Sequence, residues 1–212
     1  MGKRLLEVGA SFLCMLLLTC GPAWAGAFDG EEILKKGTIE WGFMTGYGLT
    51  NGVGPARAGV DFFTILPRVG YVFTKIHGKP PWQGSLEGVV EAVPVLLAFE
   101  STPAFGSQTI YGGGLTALLR YDLRTGTRLL PFLEGGAGLL LSTPQSRDPS
   151  SQFRASQFNF TLQIGVGLRY VLSQRAALSV EYRFHHISDA GLTESNPGFN
   201  ADFILLGFSL FQ

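Results

Sequence analysis

Residues 158–170 read Phe158-Asn159-Phe160-Thr161-Leu162-Gln163-Ile164-Gly165-Val166-Gly167-Leu168-Arg169-Tyr170, and their alternation decides the fold. Successive side chains of a strand point to opposite sides. Phe158, Phe160, Leu162, Ile164, Val166, Leu168 and Tyr170 therefore share one face, while Asn159, Thr161, Gln163, Gly165, Gly167 and Arg169 share the other. A wholly apolar face backed by small and polar residues belongs to a strand with lipid outside and a polar interior behind it.

The same alternation recurs on both sides of this segment. Trp41, Phe43, Thr45 and Tyr47 oppose Glu40, Gly42, Met44, Gly46 and Gly48 in a first strand starting at Ile39. A noisier second strand spans Gly59 to Phe73. A third runs from Leu86 to Phe99, with Leu86, Val90, Ala92, Pro94 and Leu96 on one side and Glu87 and Glu91 on the other. Pro94 weakens it, since proline removes a ladder donor. The fourth is Ile110 to Leu123, the fifth Leu129 to Leu141, the seventh Leu178 to Ser188 and the eighth Asp202 to Phe211. Eight is an even number, as a single-chain antiparallel barrel requires.

Composition agrees. Charged residues make up 15% of the chain, hydrophobic ones 46%, and glycines number 29. That is a low charge content for a soluble domain. No segment beyond residue 25 approaches the roughly 20 uninterrupted apolar residues of a membrane helix. The closed sheet is the other structure that satisfies its own backbone in lipid. A formal net charge of zero gives no reason to expect a nucleic-acid partner.

The N-terminus reads as an export signal: Lys3 and Arg4, then the mostly apolar run Val8 to Leu18, then the small-x-small site Ala23-Trp24-Ala25. A lipoprotein signal ending at Cys20 is the rival reading, but Thr19 is a poor residue before a lipidated cysteine. Residues 1–25 are thus expected to be a signal peptide and residues 26–212 an outer-membrane β-barrel. Cys14 and Cys20 both fall in the expected leader, so the mature chain has no thiol for a disulfide or a metal.

Connections alternate in character. Arg124 to Arg128, Leu172 to Arg175 and Thr74 to Gly84 form one set, the last with Pro80 and Pro81. Thr50 to Ala58, Glu100 to Gln108, Ser142 to Ala155 and Asp189 to Ala201 form the other, rich in Pro, Ser, Asn and Gly. Barrels of this class carry short periplasmic turns and longer external loops. Odd strands then run outward, and the seventh ends with Ser188 at the external rim, where lipopolysaccharide forms the outer leaflet.

Glu40, Glu87, Glu91, Arg120, Glu134, Arg169, Glu181 and Arg183 face inward by phase, as does His185. Paired charges can fill the lumen of an eight-stranded barrel, so these residues are assigned to structure. His77, beside Lys75 and Lys79, is assigned to a solvated turn.

The seventh strand is different. Its apolar face of Leu178, Val180, Tyr182 and Phe184 continues in phase into His186 and Ser188. Residues two apart on a strand lie roughly 6 to 7 Å apart at the backbone, near enough for the side chains to lean together. His186 can then take the Ser188 hydroxyl proton and make serine a nucleophile toward an ester. Such polar groups on a lipid-facing wall are costly unless they meet a polar partner there. The chain has no Gly-x-Ser-x-Gly elbow, no His-Glu-x-x-His motif and no phosphate loop.

The segment Tyr182-Arg183-Phe184-His185-His186-Ile187-Ser188-Asp189-Ala190-Gly191, followed by Asn196-Pro197-Gly198-Phe199-Asn200, resembles the lipid A 3-O-deacylase family of outer-membrane barrel esterases. Pro131-Phe132-Leu133-Glu134-Gly135-Gly136-Ala137-Gly138 is a weaker echo. The resemblance implies a serine esterase on the outer barrel wall that releases the 3-hydroxyacyl chain ester-linked at position 3 of lipid A. His186 would be the base and Ser188 the nucleophile. The family's orienting glutamate falls where this chain has Asn200; Asp202, of the same parity, and Glu194 are the alternatives. Asp189 stands where the family usually has asparagine. Asn196 and the backbone at Gly198 are the other candidates for holding substrate or oxyanion. No cofactor is implied, since nucleophile, base and donors are all protein groups. The implied partner is lipid A or lipopolysaccharide, and pairing of two copies is left open. The other reading is a catalytically inactive barrel with a structural or adhesive role, in which His186 and Ser188 bind sugar or phosphate at the interface.

Overall fold

The computed structural model describes residues 30–51, 59–102, 106–143, 157–193 and 198–212. The expected signal peptide, residues 1–25, lies outside the described residues, as do Glu194 and Asn196. Eight strands follow in chain order: β1 Ile39–Asn51, β2 Val60–Val72, β3 Gly84–Thr102, β4 Gly106–Leu123, β5 Leu129–Ser142, β6 Phe158–Ser173, β7 Ala176–Ser188 and β8 Phe199–Phe211. Each pairs antiparallel with the next, and β8 closes back onto β1. Closure leaves no sheet edge, as a lipid environment demands. Among the described residues no helix is long and apolar enough to cross a membrane.

Alternation sorts the wall as the sequence suggests. Leu162, Ile164 and Val166 of β6 are exposed on the outside, with Leu162 at 59%, whereas Asn159, Thr161, Gln163 and Arg169 are buried inside. The lumen is filled by a charge network. Arg183 reaches Glu91 at 2.7 Å, Glu134 at 2.6 Å and Glu181 at 2.6 Å. Arg120 contacts Glu134 at 2.5 Å and Glu40 at 3.1 Å, and Arg169 contacts Glu40 at 2.8 Å. Arg68 and Asp122 also belong to it and were not foreseen. Arg68 lies in the noisy second strand, and Asp122 at the end of the fourth. Inward glycines make room for these groups: a Cβ on Gly70 or Gly165 would collide with the carboxylate of Glu87 or Glu181.

Three expectations change. Leu96, expected on the outer face of β3, is buried inside, because the β3–β4 register shifts between Val93 and Leu96. The bulge falls at Pro94, and it inverts the phase of everything beyond it. Glu100 to Gln108, expected as an external loop, is mostly paired strand, with the ladder running to Thr102 opposite Gly106. Asp189 to Ala201 is shorter than expected, since β8 starts at Phe199 and pairs Ile187 with Phe199 and His186 with Asn200. Phe199 is buried against Phe62, with ring centroids 6.0 Å apart, which anchors that end.

At the opposite end, a short 3-10 turn, Glu32–Leu34, closes the barrel base. Ile33 and Leu34 are buried with Leu130, Val171, Ala177 and Phe211, and Arg124 binds Glu31 at 2.7 Å. His77 is exposed in the β2–β3 turn, with Nδ1 3.0 Å from the Lys75 carbonyl.

Candidate active site

The outer face of β7 carries Leu178, Val180, Tyr182, Phe184, His186 and Ser188, while Ser179, Glu181, Arg183 and Ile187 are buried in the lumen. Parity thus puts the imidazole and the hydroxyl on the membrane side of the wall. His185, their immediate neighbour, points inward to a small cavity lined also by Glu91, Gln163, Arg183 and Phe203.

His186 Nε2 lies 3.1 Å from Ser188 Oγ, and His186 Nδ1 lies 2.6 Å from Asn200 Oδ1. The amide oxygen can only accept, so Nδ1 carries the proton of the neutral ring. Nε2 is then a lone pair directed at the serine hydroxyl, which donates to it. The ladder fixes this geometry: His186 stands opposite Asn200 on β8 and opposite Leu162 on β6. A cross-strand pair of this kind sits near enough for direct side-chain contact. The arrangement can draw a proton from serine and return it to a leaving group.

Asp202, one of the alternatives for the third position, is placed one pleat deeper on the same face of β8. Its Oδ1 accepts from the Tyr182 hydroxyl at 2.6 Å and its Oδ2 from Asn51 Nδ2 at 2.8 Å. Tyr182 and Asn51 were not singled out as site residues. Tyr182 stood within the quoted β7 segment, but Asn51 follows Leu49 at the end of β1, and only barrel closure brings it opposite Asn200.

Asp189 is fully buried, and its carboxylate organises the loop after β7. Its Oδ1 accepts from Gly191 N at 3.0 Å, and its Oδ2 from Thr193 N at 3.0 Å and Thr193 Oγ1 at 2.5 Å. These contacts give Asp189 a supporting place in the loop next to Ser188. Ala190 at φ 56° and Gly191 at φ 82° complete the tight turn it holds. Gly198, at φ 78°, packs directly on the pair: a Cβ there would lie 3.1 Å from His186 Cε1 and 3.3 Å from Ser188 Cβ. Both its backbone angle and its surroundings call for glycine.

Around the pair the wall is apolar. Phe160, Leu162 and Ile164 of β6 and Ile204 and Leu206 of β8 are exposed on the outside, forming a surface for hydrocarbon chains. Among the described residues no group of His, Cys, Asp and Glu is arranged to hold a metal.

Comparison with known proteins agrees with this fold. The family model described as Lipid A 3-O-deacylase (PagL) matches residues 67–209, well over half of the chain. The solved outer membrane enzyme PagL is 20% identical, with a TM-score of 0.51, covering 79% of this chain and 97% of that one. Neisserial surface protein A (NspA) is 14% identical, with a TM-score of 0.53, covering 82% of this chain and 97% of that one. Both are likenesses of fold. Among curated proteins, none matches the chain. An eight-stranded barrel with a lipid-facing wall and a family match running from the end of β2 into β8 lead to one conclusion: the chain belongs to the lipid A 3-O-deacylase (PagL) family of the bacterial outer membrane.

Proposed function

We propose that this protein hydrolyses the 3-O-linked acyl ester of lipid A by a Ser/His mechanism on the outer wall of its barrel. Ser188 Oγ attacks the ester carbonyl carbon as its proton passes to His186 Nε2. The tetrahedral intermediate collapses, the bond to the sugar oxygen breaks, and His186 returns the proton to that oxygen, freeing the hydroxyl at position 3. Water, deprotonated by the same nitrogen, then attacks the acyl-serine; the acyl–Oγ bond breaks, His186 passes that proton to Ser188 Oγ, and the 3-hydroxy fatty acid is released. No cofactor takes part.

The observation that carries this reading is the 3.1 Å contact between His186 Nε2 and Ser188 Oγ on the membrane-facing side, with Asn200 holding the tautomer from behind. The substrate's acyl chains would lie along Leu162, Ile164, Ile204 and Leu206. Asn196 and the backbone around Gly198 are the proposed donors to the oxyanion.

One feature supports a second reading, an inactive barrel with a structural or adhesive role: an uncharged amide occupies the orienting position. Mass spectra of lipid A from cells making wild type or Ser188→Ala separate the two. Loss of one hydroxyacyl group with wild type alone supports the esterase. Identical spectra with both, from barrels equally folded in the outer membrane, contradict it.

A further inference from the structure

An amide behind the histidine leaves one requirement of the chemistry unmet. When His186 accepts the serine proton it becomes a cation on the lipid side of a barrel wall, where an unpaired charge is costly. Asn200 fixes the ring, but it carries no charge to balance that cation.

Asp202 stands close by. It follows Asn200 by two residues on the outer face of β8, and it is opposite Phe184 on β7, so it is a diagonal neighbour of His186. Diagonal partners lie roughly 7 to 8 Å apart at the backbone. Because β8 runs inward, Asp202 is on the membrane side of the Asn200–His186 contact, where solvent screening is weaker. Both of its oxygens are held, one by Tyr182 of β7 at 2.6 Å and one by Asn51 of β1 at 2.8 Å. Those bonds tie the carboxylate to the strands on either side and keep it from swinging toward water.

Among the described residues, the other groups near the imidazole do not supply the charge. Ser188 and Phe184 flank it on β7, Leu162 faces it from β6, and Gly198 packs on it from the loop. Arg183 and His185 project into the lumen. Asp189 has its oxygens engaged by Gly191 and Thr193.

We propose that Asp202, anchored by Tyr182 and Asn51, is a positioning residue that supplies the negative charge missing from Asn200 and stabilises the imidazolium of His186 during acyl transfer. The proposal rests on the deacylase reading above. Charge and orientation, which one carboxylate usually combines, are here divided between two residues of one strand face.

At about 7 Å, a unit charge is worth roughly 3- to 50-fold in rate between the water-like and protein-like limits of screening. The full chain in detergent micelles, given purified lipid A bearing an ester-linked 3-hydroxyacyl group, provides the test. Asp202→Asn is expected to lower kcat about tenfold with KM little changed, and Asp202→Glu to keep most of it. In an Asn200→Glu background, where a carboxylate already contacts the ring, Asp202→Asn is expected to cost much less. Should Asp202→Asn fail to give a folded barrel, Asn51→Ala takes its place and is expected to lower kcat by a smaller factor. A wild-type kcat in Asp202→Asn, or the same loss with and without Asn200→Glu, overturns the proposal and leaves the esterase standing. A folded wild type that releases no fatty acid overturns the esterase, and this role with it.

Discussion

His186 has one polar contact on each side of its ring, Asn200 behind and Ser188 in front, and the proposed chemistry depends on both. Removing the rear contact frees the ring to rotate and to adopt the other tautomer, which would aim an N–H at the serine. Asn200→Ala is therefore expected to lower kcat roughly 10²-fold or more while KM changes little, measured as fatty-acid release from lipid A. A KM rise at unchanged kcat would instead mean that Asn200 binds substrate. At this scale the sequence was informative where chemistry and parity coincide. His186 and Ser188 stand out because polar groups on a lipid-facing wall are costly unless they meet a polar partner there. Tyr182 and Asn51 do not stand out, since one resembles an interface aromatic and the other a loop amide. Their common partner, Asp202, is assembled only when β8 is seated between β7 and β1.

The elements explain why these side chains stay in place. β7 has two working faces: the outer one carries the histidine and serine, and the inner one sends Arg183 to Glu91 of β3, Glu134 of β5 and Glu181 of its own strand. Arg183 is 2% exposed, so its loss would remove a buried counter-ion shared by three carboxylates. Arg183→Met is expected to destabilise the barrel by about 3 to 5 kcal/mol. Urea unfolding in lipid vesicles measures this, and a midpoint equal to wild type would contradict it. All eight strands were legible from alternation, because a sheet between lipid and a filled lumen enforces the two-residue period along nearly its whole length. What escaped the reading was the phase beyond Pro94, where a bulge turns Leu96 inward, and the start of β8. The second of these matters for the site: Asn200 is a strand residue locked opposite His186, not part of a loop.

As a whole, the described residues form a closed barrel with the His186–Ser188 pair on its outer face. Among the described residues, buried ion pairs fill the lumen, and Ile33 and Leu34 pack at the base among Leu130, Val171 and Phe211. Substrate would come sideways through the outer leaflet, its acyl chains against the exposed apolar residues of β6 and β8. The base of the cylinder could not be read from strand periodicity, since residues 32–34 form a 3-10 turn with none of that pattern. The central claim is that Ser188, activated by His186, is a nucleophile accessible from the lipid side. Treating the detergent-solubilised protein with a long-chain alkyl phosphonofluoridate and mapping the adduct by peptide mass spectrometry tests it most directly. One phosphonyl group is expected on Ser188 in wild type and its loss in His186→Ala; an unmodified Ser188 in the folded wild type, or equal labelling without His186, would rule out an activated Ser188.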